Sequence, residues 1–239
     1  DLLGLKSLTA IHEVIDTIKR TRNIDIKYQD IPLNDRATYK MLRNGFTGAI
    51  FQLESVGMTG VVTQMLADID VLPDDRVGEC FDRLIAAVAL YRPGPLDYIP
   101  DYIKGARDRN SIHYDCKEEE SILAPTYGVL VYQEQLMQIA QQLAGYSLGE
   151  ADLLRKACGK KKLDVMMKEQ QRFIHGNKQE YESGKAKHLI PGCVGNGISE
   201  EVAGNVWDKM VKFASYAFNK SHAACYAWVA YLTAYMACH

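Results

Sequence analysis

Apolar residues recur at helical spacing along nearly all of this chain, and that period confines it to a mainly helical fold. Leu8, Ile11, Ile15 and Ile18 fall on one face, and Lys19, Arg20 and Arg22 close the segment. Asn34 reads as the N-cap, and Gly45 as the stop, of a helix carrying Tyr39 and Leu42. Helices are expected over about 58–67 and 77–90, the second nearly continuous in apolar residues and so buried. Arg92-Pro93-Gly94-Pro95 must break it, because proline donates no backbone hydrogen bond and restricts the residue before it. Pro125-Thr126-Tyr127-Gly128 is a second break, with a long helix expected over about 129–143. Ser147 and Glu150 have capping-box spacing for the next helix. Residues 162–181 read as one polar, exposed helix and 190–197 as a loop, with final helices over 200–213 and from 221 onward. Gly48–Leu53, rich in β-formers and bounded by glycine, is the one expected strand. About ten helices and at most one or two short strands result.

Hydrophobic residues make up 47% and charged residues 24% of the 239, enough to bury a core and to exclude disorder as the main state. The six cysteines form no C-x-x-C and sit mostly in apolar stretches, so they read as reduced thiols of a cytoplasmic protein, not a zinc site. Asp1 opens the chain inside an apolar run; no signal peptide fits there, and a piece of a longer chain is expected. Residues 223–238 carry no charge but fall about a turn short of the roughly 20 residues of a membrane span. With three tyrosines and a threonine they read as a buried helix, and no membrane partner is expected.

The net charge of −2 hides an asymmetry. Between Arg155 and Lys187 lie ten Lys or Arg and four acidic residues, a local +6 against −8 for the remainder. Such a segment is an electrostatic footprint for a polyanion. From Lys168 onward a solvated helix face explains the charge. Arg155-Lys156 and Gly159-Lys160-Lys161-Lys162, following an apolar helix, suit phosphate groups better. A second cluster, Phe218-Asn219-Lys220-Ser221-His222, aims donors at a helix start, where a capped helix with a structural histidine is the simpler reading. No H-E-x-x-H, Walker A or G-x-S-x-G occurs, and the glycines at 192, 195 and 197 form no dinucleotide fingerprint. Asp1 and Glu54 are lone acids, which excludes a self-contained two-metal hydrolase.

Taken together the motifs resemble the bacterial replicative DNA polymerase III alpha subunits, polymerase family C. The resemblance runs in order through Asp1-Leu2-Leu3-Gly4-Leu5-Lys6-Ser7-Leu8-Thr9, Phe51-Gln52-Leu53-Glu54-Ser55 and Tyr91-Arg92-Pro93-Gly94-Pro95. It continues through Pro125–Gly128 with Tyr132-Gln133-Glu134-Gln135, Gly145–Asp152, Arg155–Lys162 and Phe218–Ala223, covering essentially the whole chain. The Phe51–Ser55 and Arg92–Pro95 elements are similar to the alpha subunit proper, not the separate Gram-positive C-type replicase. The resemblance implies a multi-helix fingers domain with one or two short strands, led by the last catalytic strand of the palm. Residues 1–6 would end the palm and 7–239 form part of the fingers.

The implied function is DNA-directed DNA synthesis, with the fingers binding the incoming deoxynucleoside triphosphate and template-primer DNA. The resemblance implies that Asp1 is the third catalytic aspartate of a two-metal Mg²⁺ site whose other two aspartates lie upstream, so that the chain alone would not polymerise. Arg155, Lys156, Lys160 and Lys220 are the expected triphosphate ligands; Lys156 stands where the family commonly has a second arginine, giving a point charge in place of a bidentate fork. Asn219, His222 and Tyr226 are expected beside the nascent base pair. Further partners would be the rest of the polymerase and, through it, the sliding clamp and other replisome subunits. The alternative is a stand-alone helical nucleic-acid-binding or adaptor module.

Overall fold

The computed structural model describes residues 6–160 and 163–239, with the side chains of 159–164 outside the description. The expected palm strand over 1–6 therefore lies almost wholly outside the described residues. Thirteen helices are found among the described residues, joined by short 3₁₀ turns. They form two compact units, residues 1–92 with 221–239 and residues 93–220.

The first unit opens with α1 (Lys6–Arg22), whose Ile11 and Ile15 are buried and whose last turn carries Lys19, Arg20 and Arg22. Helix α2 (Arg36–Arg43) is capped by Asp35, one residue past the expected Asn34, because the Asp35 carboxylate accepts from the Thr38 backbone N–H (2.8 Å). Between α2 and α3 (Val56–Met65) the expected strand is absent. Thr47 O accepts from Ile50 N and Ile50 O from Leu53 N, closing two consecutive turns. Ala49 and Gln52 take left-handed φ of 61° and 65°. Ile50 and Leu53 are buried three residues apart, a turn spacing, where a strand would bury alternate residues. Ser55 then caps α3 by accepting from Met58 N at 3.3 Å.

Helix α4 (Glu79–Leu90) is buried along its second half, as its composition dictates. The buried Arg83 donates to Met65 O and to both oxygens of Asp68, so its charge is neutralised where water cannot reach it.

In the second unit a 3₁₀ turn (Pro95–Tyr98) leads into α5 (Ile99–Arg107), followed by α6 (Lys117–Leu123), α7 (Gln133–Ala144) and α8 (Leu148–Lys160). Next come α9 (Leu163–His175), α10 (Lys178–Glu182), α11 (Gly192–Gly195) and α12 (Glu200–Ala214). Helix α7 packs on α6 and α8, and α12 on α8 and α9, around a core holding Leu136, Ile139, Leu143, Leu154, Phe173, Trp207, Met210 and Phe213. Gly94 in the Arg92–Pro95 break has φ 101°, and a Cβ there would come within 2.3 Å of the Tyr216 ring. Ser147 and Glu150 form the expected capping box of α8, Ser147 N donating to Glu150 Oε2 (3.1 Å) and Glu150 N to Ser147 Oγ (3.4 Å).

The expected single helix over 162–181 is two helices. Gly176 (φ 83°) ends α9, and its backbone lies so close to Gly192 (φ 74°) that a Cβ on Gly192 would approach Gly176 N to 2.3 Å. Phe173 and Ile174 are buried, so α9 is not the exposed helix expected, and the 190–197 segment contains the short α11 because it must seat against α9.

Helix α13 (Lys220–Cys238) belongs to the first unit from Ser221 onward. Its Ala223, Ala227, Ala230 and Ala234 are buried at three- and four-residue spacing, a narrow seam that admits close packing. Among the described residues there is no strand, only an isolated parallel bridge between Tyr132 and Phe218. No helix among them is long and apolar enough to cross a membrane.

Candidate functional site

The expected residues are held in three groups. The first is on α8. Arg155 Nε and Nη2 both donate to Asp152 Oδ1, at 3.0 and 2.9 Å, and Lys156 Nζ lies 2.6 Å from Oδ2. The spacing of three and four residues makes this contact, since such positions share a helix face. Hydrogen bonds from Lys156 and then Arg155 hold the Asp152 carboxyl below its ordinary value. Two cations thus flank one carboxylate on an accessible helix face, with a local charge of +1. The helix continues to Lys160, so Arg155 and Lys156 lie within it, not after it; the apolar run ends there only because the exposed face turns polar. The Lys160 side chain and Asp1 lie outside the described residues.

The second group joins two motifs distant in sequence. Glu134 Oε1, at the start of α7, accepts from Asn219 Nδ2 (2.8 Å) and from Lys220 N (3.1 Å). Lys220 Nζ sits 5.5 Å from the centroid of the Tyr132 ring. Backbone bonds from Gln133 N to Phe218 O and from Phe218 N to Val131 O lock the two segments together. Gln135 anchors the base: its Oε1 accepts from Val131 N and Tyr132 N, and its Nε2 donates to Ile122 O and Thr126 Oγ1. Through the buried Thr126, Tyr127, Tyr132 and Gln135, the Pro125–Gly128 and Tyr132–Gln135 motifs form the scaffold that presents Glu134.

The third group lies in the first unit. The rings of His222 and Tyr226, one turn apart on α13, have centroids 4.4 Å apart, and Phe51 lies 5.4 Å from Tyr226. This is a continuous aromatic row, with Phe51 N donating to Thr233 Oγ1 at 3.1 Å to fix its end. Beside it a cleft of about 510 Å³ is lined by Phe51, Gln52, Glu54 and Ser55 with Tyr91 and Met58. The Phe51–Ser55 motif therefore forms a cleft wall through its paired turns.

Elsewhere in the basic segment, Lys168 is exposed and paired with Glu180 (2.9 Å). Arg172 is mostly buried, between Glu150 and Glu169 and over the Tyr146 ring. Lys168 fits the solvated reading, and Arg172 is a packing residue. Three contributors were not among the expected site residues, although one of them had a local signal. Asp152 was legible from its spacing to Arg155 and Lys156. Glu134 had no local signal, since its partners are some 85 residues away. Phe51 was hidden by the reading of its segment as a strand.

The second unit presents the paired cations and the polar helix start, and the first unit the aromatic row. The family model for the bacterial DNA polymerase III alpha subunit finger domain matches residues 7–181. Proteins named DNA polymerase III subunit alpha are similar over the whole chain. That of Chlamydia muridarum is 43% identical over 99% of the chain, that of Pseudomonas fluorescens 42% over 100%, and that of Thermus aquaticus 41% over 100%. The chain spans 17%, 19% and 18% of those relatives' lengths. It belongs to the DNA polymerase III alpha subunit finger-domain family.

Proposed function

We propose that this chain serves as the fingers of a DNA-directed DNA polymerase, binding the incoming deoxynucleoside triphosphate and template-primer DNA. Residues 1–6 would end the palm and 7–239 form part of the fingers. The observation that carries the reading is the pairing of Arg155 and Lys156 on one part-exposed carboxylate. An oxygen anion already sits between them, and phosphate oxygens carry the same donor requirements with more charge. Lys160 and Lys220 would add positive charge, while Asn219, His222 and Tyr226, with Phe51, would flank the nascent base pair. Chemistry of this kind is driven by positioning and by neutralising charge that develops on the leaving pyrophosphate.

A Mg²⁺ site needs hard oxygen donors. Among the described residues the metal-competent trio mixes sulfur, nitrogen and oxygen, which does not suit Mg²⁺. By the resemblance, the family's two-metal chemistry would draw on Asp1 with two further aspartates upstream. The rest of the polymerase, and through it the clamp and replisome in the cytoplasm, would be the partners.

Steady-state incorporation kinetics against varied nucleotide, in the full-length polymerase, test the reading. Arg155→Ala should raise KM and lower kcat, losing about 2–4 kcal/mol of transition-state stabilisation. Lys168→Ala should change neither parameter more than about twofold, because a solvated, screened lysine contributes little. Equal, small effects would reduce the cluster to a solvated face.

A further inference from the structure

The Asp35, Cys238 and His239 side chains bring three different donor atoms within 4.8 Å of one another, and this is the one cluster of three such residues found among the described residues. We propose that they form a binding site for a borderline-soft divalent cation of the Zn²⁺ type, a site separate from the nucleotide-handling groups above.

The donor set selects the ion. A thiolate and an imidazole favour Zn²⁺ or Co²⁺ over Mg²⁺ or Ca²⁺, and a single carboxylate adds one oxygen. Tetrahedral bonds of about 2.0–2.3 Å place ligand atoms roughly 3.3–3.8 Å apart, so donors now within 4.8 Å need to close by no more than about 1.5 Å. Side-chain rotation supplies that, since Cys238 is half-buried and His239 exposed. A water molecule would complete the fourth position. On binding, the Cys238 thiol gives its proton to solvent and ligates as thiolate. The imidazole enters neutral through Nε2, replacing its present 3.0 Å contact with Asp35 Oδ2.

The surroundings are already fixed. Asp35 Oδ2 accepts from Thr38 N (2.8 Å) and Thr38 Oγ1 (2.5 Å), which orients the carboxylate as outer-shell partners orient metal ligands. The His239 ring packs at a tilt against Tyr235, with centroids 4.5 Å apart, and His239 N donates to Tyr235 O. The two backbone segments are tied independently of any ion: Tyr231 Oη donates to Pro32 O (2.5 Å), Tyr39 Oη donates to Leu33 O (2.6 Å), and the two rings pack at 5.3 Å. An ion would clamp the end of α13 to the cap of α2 on a scaffold that does not have to move.

Titrating the reduced chain with Co²⁺ tests the proposal. One equivalent should give tetrahedral d–d absorption and a thiolate-to-cobalt charge-transfer band, both displaced by Zn²⁺. Cys238→Ser should abolish the charge-transfer band. His239→Ala, which removes an exposed side chain, should weaken Co²⁺ binding at least roughly tenfold. Cys225→Ser, an exposed thiol on the same helix, should change nothing. A band that survives Cys238→Ser, a band that disappears with Cys225→Ser, or no saturable band at all would overturn the proposal.

Discussion

Lys209→Met should be among the most destabilising single changes on the second unit. Lys209 Nζ lies 3.1 and 3.2 Å from the two oxygens of Glu119 and in contact with Asp115 Oδ2. The Glu119 side chain is 0% exposed, so the lysine is what makes its charge tolerable there. Burial alone would depress the Lys209 ammonium, but the hydrogen bond to Asp115 and the charge of Glu119 outweigh it and raise its value. Breaking a buried pair from one side costs about 3–5 kcal/mol. Lys209 keeps 32% of its side-chain exposure, which points to the lower end, about 3 kcal/mol. With a urea m-value of about 3 kcal/mol/M, the midpoint should fall by about 1 M at unchanged slope. Trp207 in the same core reports the transition in a Trp228→Phe background. Glu119→Gln with Lys209→Met should recover at least about half the loss, because the double change removes the more deeply buried of the two stranded carboxylates and keeps an acceptor for Asp115 N. A loss under about 1 kcal/mol, the scale of an exposed pair, would refute the reasoning, as would a double variant no better than the single.

The raised Lys209 value also sets a pH dependence. Its contribution is fully present below the unfolded value of about 10.4 and is lost as pH rises through the higher folded value, so alkaline urea titrations should show wild type converging on Lys209→Met. Gly192→Ala should cost about 2 kcal/mol or more, since it combines a left-handed φ with a Cβ driven into the Gly176 backbone; equilibrium unfolding indistinguishable from wild type would contradict that packing. In the full-length polymerase Asp1→Asn should leave template-primer binding nearly intact and abolish incorporation; a fall in turnover of less than about tenfold would exclude a metal-ligand role.

Local signals carried much of this architecture. The Ser147–Glu150 box, the α4 apolar run and the 200–213 period each specify an element through contacts within a few residues, and the structure has those elements within a residue or two of where they were expected. The failures share a cause. Residues 48–53 have strand composition, yet buried contacts at Ile50 and Leu53 impose consecutive turns. Residues 162–181 have helical composition, yet the close approach of Gly176 and Gly192 ends the helix. In both, tertiary packing overrides local preference. The site divides the same way. The Asp152–Arg155–Lys156 cluster follows from helical spacing, whereas the hold of Glu134 on Asn219 and Lys220, and of Phe51 on Tyr226, depends on chain segments that only folding brings together.

The central claim, that this chain works as polymerase fingers, is tested most directly by transplanting it. The 239 residues replace the matching segment of the Chlamydia muridarum DNA polymerase III subunit alpha, to which they are 43% identical over 236 residues. Template-directed primer extension is then measured beside the unaltered parent. The account predicts template-matched incorporation by the chimera, lost to the extent of about 2–4 kcal/mol on Arg155→Ala. A chimera that is folded and binds template-primer but incorporates no nucleotide, or one indifferent to Arg155→Ala, would contradict it.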